Sequence, residues 1–236
     1  MDDNLSSSKP TRGRPRGRSG KGEQTRAHLF ETAIELFGRK GYGSTTLRAI
    51  AAEAGVSVGL LYRYFPNKGA LVLALYERLT DAFLARAVAL PPGAWPTRVS
   101  WAVRESVSIL RPHRRCLQAL VPTLLSAAGE GVLSESTGFS RDQVSEVFSR
   151  AVLEADDAPA AAVAQPLGRL CYTGHLMVIM WWLLDRSPRQ HATEDLMARL
   201  DGALRLASLY SSLPGAVEAV ASMDALVRAA LFEGSA

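Results

Sequence analysis

LRAIAAEAGVSVGLLYRYFPNKGAL, residues 47–71, has the spacing of two short helices joined by a tight turn. Ala51 is small where two helices must cross, Gly55 permits the positive backbone angle of a turn, and Val56 plugs the corner between the helices. Ser57 starts the second helix, which runs to about Tyr64, with Leu61 and Phe65 turned inward beneath it. This leaves Val58, Gly59, Tyr62, Arg63 and Tyr64 able to face outward, which suits insertion into a major groove. Pro66 ends the helix, because proline disfavours helix at the residue before it, and Asn67 can cap the next one.

Upstream, Leu29, Phe30, Ala33, Ile34 and Phe37 recur at steps of three and four, which predicts a helix from Glu23 ending at Gly41 as a left-handed cap. Ser44, Thr45 and Thr46 can each cap the following helix, whose inward face is Leu47, Ile50 and Ala51. Downstream, Leu71, Leu75, Leu79 and Phe83, flanked by Val72 and Tyr76, form the stripe of a helix reaching about Ala89 and able to join two domains. Further helical stretches follow near 95–110, 112–128, 138–155, 160–185, 192–212 and 214–232. No run of Val, Ile and Thr alternates with polar residues over strand length, so the fold class is all-α, opening with a three-helix helix-turn-helix unit.

The 236 residues are 47% apolar and 21% charged, enough for a sizeable core and incompatible with disorder of the whole chain. Charge is divided unevenly within the net +4: residues 1–68 hold 12 basic and 6 acidic side chains, residues 69–236 hold 15 and 17. A positive end on a mildly acidic remainder points to a polyanionic partner, nucleic acid before an anionic membrane surface. Residues 1–22 combine six basic side chains with Gly, Pro and Ser, and read as a disordered basic arm ahead of a unit spanning 23–68. Two cysteines, Cys116 and Cys171, cannot build a disulfide framework, and MDDNLSSSKP lacks the apolar core of a secretory signal, so a cytoplasmic setting is expected. The apolar stretch Leu167 to Leu184 approaches the length of a membrane span. Arg169 and His175 within it favour instead a helix buried at a subunit interface, with no membrane partner.

The head resembles the DNA-binding domain of the TetR (tetracycline-repressor type) family of bacterial transcription regulators. The resemblance rests on Ala33, Leu36-Phe37, Gly41-Tyr42, Thr45-Thr46, Ile50-Ala51, Ala54-Gly55-Val56-Ser57, Gly59, Leu61-Tyr62, Tyr64-Phe65, Asn67-Lys68 and Ala70-Leu71. WWLLDRSP, followed by an amphipathic helix, is similar to the family's paired dimerisation helices, near 160–185 and 192–212 here. The resemblance implies a homodimeric, ligand-responsive repressor on a palindromic double-stranded operator, with residues 69–236 as the ligand-binding and dimerisation domain. A regulator controlled by a partner protein is the alternative. Thr46, Tyr62, Tyr64 and Lys68 would contact phosphates, and Arg48 would read guanine, assisted by Arg63 and the helix start Ser57, Val58 and Gly59. Leu60 and Gly69 depart from the family pattern, which weakens direct readout at the helix start.

Arg12, Arg14, Arg16 and Arg18, set among Gly and Pro, resemble an AT-hook core suited to a narrow minor groove, or else serve as a solubilising tail. Trp101, Phe148, Tyr172 and His175 are the candidate wall of a pocket for a small apolar or aromatic effector, with core packing as the equal alternative. Trp181 and Trp182 point to opposite faces, so one can meet the pocket and the other a dimer partner. His28 with Glu31, Cys171 with His175, and His113 to Cys116 could ligate metal or activate a thiol, but each reads more simply as surface, core or loop. No P-loop, dinucleotide fingerprint, nucleophile elbow or metal-binding histidine pair is present, so neither an enzyme, a catalytic residue, a metal nor a cofactor is expected.

Overall fold

A computed structural model describes residues 18–124, 131, 134–211, 213 and 215–232. Ten α-helices follow one another there: α1 (Arg18–Lys40), α2 (Leu47–Glu53), α3 (Val58–Tyr64), α4 (Lys68–Ala87), α5 (Trp95–Leu110), α6 (Arg114–Leu124), α7 (Gly138–Leu153), α8 (Ala161–Leu184), α9 (His191–Tyr210) and α10 (Ala216–Leu231). Single 3-10 turns precede α6, α7 and α9, and no strand occurs among the described residues. The fold is all-α, as the periodicity requires.

α1 packs on α2 and reaches back to α6, where a Cβ at Gly38 would stand 3.3 Å from the Cys116 backbone nitrogen. The apolar core is continuous from Leu29 and Phe37 in the head, through Leu71 and Leu75 of α4, to Phe148 and Trp182 in the body. α8 lies centrally, against α7 on one side and α10 on the other. By length and composition it could cross a membrane, yet within the fold it packs on α5, α6, α7, α9 and α10, and Arg169 Nη2 donates to buried Asp224 at 2.5 Å.

One boundary differs from expectation. α1 begins at Arg18 rather than Glu23, so residues 18–22, read as arm, are helical. The helix touches α3 at Gly22, where a Cβ would fall 3.6 Å from the Tyr64 phenol oxygen, and this tertiary contact opposes the low helix propensity of Gly20 and Gly22. The expected end of α6 near residue 128, and Arg12, Arg14 and Arg16, lie outside the described residues.

Candidate functional site

Each short helix of the head is started by the side chain its sequence supplies. Thr46 Oγ1 accepts from Ala49 N at 3.1 Å, Ser57 Oγ from Leu60 N at 3.2 Å, and Asn67 Oδ1 from Ala70 N at 2.8 Å. Thr45, buried, instead donates to Gly41 O at 2.8 Å and holds the loop before α2. A capping hydroxyl uses a lone pair, so the Thr46 and Ser57 protons remain able to reach a phosphate oxygen. Gly55 has φ +66° and sets the turn between α2 and α3.

Thr46, Arg48, Ser57, Gly59, Tyr62 and Arg63 are exposed, Tyr62 by 51%. Val58 and Tyr64 are half-buried, Tyr64 against α1, so of the two tyrosines Tyr62 stands out further. Lys68 Nζ donates to Tyr42 O at 2.7 Å and lies 4.4 Å from the Tyr42 ring centre, which uses one of its three donors and leaves the others for a phosphate.

Three of the head's carboxylates are already engaged: Glu53 accepts from Arg39 at 2.6 Å, Glu35 lies 3.6 Å from the same guanidinium, and Glu31 pairs with Arg78. The Arg39 guanidinium holds the Glu53 carboxyl below its ordinary pKa, so it stays ionised beside its partner. Among the described residues no carboxylate comes within ion-pair distance of Arg48 or Arg63, so their field is uncompensated where a polyanion would approach. Lys21 and Arg26, exposed on the first half of α1, add to this face, Arg26 lying 5.2 Å from the Phe65 ring centre. The sequence reading missed both; the basic composition of residues 18–26 was the available signal, but their face depends on α1 reaching α3.

The body holds a partly open pocket of about 370 Å³ between α4, α5, α6, α7, α8 and α10. Tyr172 and His175 line it, as expected. Phe148 is buried one layer behind, its ring centre 4.7 Å from His175 and 6.2 Å from Tyr172. Trp101 does not line the cavity: it sits beside Arg104 and Asp201 in a shallow groove between α5 and α9. Five residues along a helix are about 140° around it, so Trp101 cannot share the face of Ser106, which does line the cavity. Of the tryptophan pair, Trp182 is buried and donates to Gln190 Oε1 at 3.2 Å while Trp181 is half-exposed, and neither reaches the cavity. Sequence reasoning missed the α4 residues Tyr76, Leu79 and Phe83 as wall, and Arg141 on α7.

His175 Nε2 is 2.7 Å from Ser106 Oγ, its Nδ1 is buried with no partner among the described residues, and Phe83 of α4 stacks on the ring at 6.4 Å. Burial drives the imidazole pKa down to about 3, so the ring is neutral at physiological pH. Burial likewise raises both thiols, Cys116 and Cys171, to about 12, which makes them inert rather than nucleophilic. Beside Cys116, Arg114 donates to Trp182 O at 2.9 Å and Asp185 O at 2.7 Å and closes the end of α8. His28 Nε2 lies 3.2 Å from Ala54 O, so both residues of the His28–Glu31 pair have structural partners.

Residues 29–75 match the family described as bacterial regulatory proteins, tetR family. Over 191 residues the chain is 28% identical to the HTH-type transcriptional repressor KstR of Mycolicibacterium smegmatis, covering 78% of this chain and 86% of that one. It is 43% identical over 58 residues to the uncharacterized HTH-type transcriptional regulator YuxN of Bacillus subtilis, a match covering 25% of this chain and about a fifth of that protein's length. The TetR transcriptional regulator of Nitrosomonas europaea superposes with a TM-score of 0.57 at 20% identity, over 77% of this chain and 98% of that one, which shows a shared fold. These relatives are regulators of transcription rather than enzymes. With the turn at Gly55, the capped α2 and α3 and the exposed basic face, residues 29–75 form a helix-turn-helix head that matches the tetR family of bacterial regulatory proteins.

Proposed function

We propose that the chain is a homodimeric repressor that holds a palindromic operator when its cavity is empty and releases it when a small apolar molecule enters. One observation carries this reading: α4 lines the cavity with Tyr76, Leu79 and Phe83, and at its other end Lys68 is bonded to Tyr42 of the head. A ligand that favours a displaced α4 would change the separation of two heads that must fit half-sites about one helical turn apart. A coupling of about 1–3 kcal/mol changes operator affinity roughly 5–150-fold. The repressor named among the relatives supports the sign of regulation. A cavity of about 370 Å³ supports a small molecule rather than a partner protein as the signal.

In this reading residues 23–68, extended by the first turns of α1, are the DNA-reading unit and residues 69–236 sense and dimerise. Thr46, Tyr62, Tyr64 and Lys68 bind phosphates, while Arg48 and Arg63 read bases beside Ser57, Val58 and Gly59. Arg12, Arg14, Arg16 and Arg18 follow the adjacent minor groove, and the protein works in the cytoplasm, where its operator is. The test is selection of bound sequences from random duplex DNA, followed by titration of the recovered operator. Expected are a palindromic site, an Arg48→Ala variant that loses discrimination at one base pair per half-site by about 1–3 kcal/mol, and release by a subset of apolar molecules. A non-palindromic site, or unchanged discrimination in Arg48→Ala, overturns the assignment.

A further inference from the structure

Among the described residues lining the cavity, Arg141 alone carries a charge. It stands in the first turn of α7 with its side chain 17% exposed. A guanidinium has five N–H donors. Of these, Nη1 donates to Ser134 O at 3.3 Å, while the nearest carboxylate, Asp142, lies 3.9 Å from Nε and is itself mostly in water. The Phe232 ring centre is 5.4 Å from the guanidinium carbon, and the Tyr172 ring lies tilted against the same ring at 6.5 Å. A cation held among aromatic and aliphatic groups, with no described carboxylate nearer than 3.9 Å, is costly to desolvate, and a carboxylate is the partner whose two oxygens match the guanidinium fork.

The remainder of the wall is almost wholly apolar, with Leu79 and Phe83 of α4, Leu176 and Met180 of α8 and Leu231 of α10. Along α7, Arg141, Val144 and Phe148 succeed one another on one face, with the backbones of Arg141 and Phe148 about 10 Å apart and Phe148 beside His175. His175 is neutral and does not compete for an anion. At roughly 30 Å³ for a water-sized atom, about 370 Å³ accommodates about a dozen non-hydrogen atoms. A single cation balances one negative charge, which fits a carboxylate better than a phosphate monoester.

We propose that this cavity binds an apolar carboxylate of about a dozen non-hydrogen atoms, its head on the Arg141 guanidinium and its body between α4 and α8. The proposal rests on the reading of the cavity as the effector site and adds the chemical class of the effector. Arg141 fixes which end of the ligand faces the start of α7, so the apolar end lies against Phe83 of α4.

The test is calorimetric titration of the full chain with decanoate, 1-decanol, decylammonium and acetate, each below its self-association concentration. Decanoate is expected to bind at least about tenfold more tightly than 1-decanol, with decylammonium and acetate weaker still. In Arg141→Gln the advantage of the acid over the alcohol should fall to about threefold or less while 1-decanol binds as before; Arg141→Lys, a charge without a fork, should lie between. Thermal unfolding of each variant establishes that it is folded. Equal binding of acid and alcohol by the unaltered chain, no decanoate binding, or a preference that survives in Arg141→Gln overturns the proposal. Operator affinity measured alongside separates the two readings: decanoate that binds without releasing operator overturns sensing alone, and release by neutral molecules without decanoate binding overturns the carboxylate alone.

Discussion

Gly168 sets how closely α8 can lie on α7. A Cβ there would stand 2.6 Å from Ser149 Cα, so Gly168→Ala has to push the two helices apart and disturb the rings of Phe148, Tyr172 and His175. Overpacking of this kind costs about 1–3 kcal/mol. Gly174, on the same helix, has nothing within 4 Å of its would-be Cβ, and Gly174→Ala should stabilise by up to about 1 kcal/mol through helix propensity. At Gly55 the space is also open but φ is +66°, so Gly55→Ala costs about 1 kcal/mol in the backbone alone. Denaturant titration should rank the midpoints Gly174→Ala, unaltered chain, Gly55→Ala, Gly168→Ala from highest to lowest. His175 makes a second prediction at this scale. Its folded pKa is about 3 against an ordinary 6.5, so between these values the unfolded chain takes up a proton that the folded chain does not. Its contribution to stability is therefore complete above pH 6.5 and lost as pH falls towards 3, with a slope of at most about 1.4 kcal/mol per pH unit. His175→Gln keeps a hydrogen-bonding group for Ser106 and has no such proton, so its stability should decline less steeply between about pH 6 and 4. Parallel curves would place the acid sensitivity elsewhere.

Among the elements, α5 contributes a cation with a structural task. Arg98 is buried, and its Nε donates to Ala151 O at 2.9 Å, its Nη1 to Pro91 O at 2.7 Å and its Nη2 to Arg150 O at 3.1 Å. One side chain thus closes the last turn of α7 and ties it to the segment following α4. Arg98→Met removes the side-chain donor from the Ala151 and Pro91 carbonyls, leaves Arg150 O with only the Glu154 N–H, and should cost roughly 3 kcal/mol, seen as a lowered thermal midpoint, while Arg98→Lys recovers only part of it because one ammonium lacks the reach of the fork. Such long-range work marks the limit of what the chain's pattern discloses. The caps at Thr46, Ser57 and Asn67 and the turn at Gly55 were legible because each acts on a neighbour three or four residues away. Apolar spacing likewise gave the ten helices to within a few residues at most ends. Nothing in the sequence singles out Arg98 or Arg141, because what buries them comes from distant elements, Ala151 for the first and Phe232 for the second. The early start of α1 depends on α3 in the same way, and the placing of Trp101 failed for want of knowing which face of α5 meets the cavity.

At the scale of the whole molecule, the outer sides of α8 and α9 carry apolar side chains that the fold leaves in water. Met177, Trp181 and Leu184 follow one another at i, i+4 and i+7 on α8; Leu206, Leu209, Tyr210 and Leu213 do so on and just beyond α9, with Leu209 72% exposed. Adjoining apolar stripes of this kind mark an interaction surface, and a two-fold axis would bring both stripes of one copy onto both stripes of another. In the proposed homodimer symmetry doubles any change made there, so Leu209→Glu would set two carboxylates into the contact and should move dimer dissociation to much higher concentration by sedimentation. Because Leu209 is exposed in the last turn of α9, away from Thr193, Met197, Leu200 and Leu204 that pack on the core, the altered chain should keep its fold and its head. Its DNA binding then isolates what linkage supplies. A dimer engages its second half-site intramolecularly, which raises affinity for a palindrome over a single half-site by about 10²–10⁴-fold. Leu209→Glu should bind palindrome and half-site alike, with a salt dependence about half as steep, since one head displaces about half the counterions. Anisotropy titrations on the two duplexes over a range of salt measure both quantities. A variant that stays dimeric, or that prefers the palindrome while sedimenting as a monomer, would move the assembly surface away from α8 and α9.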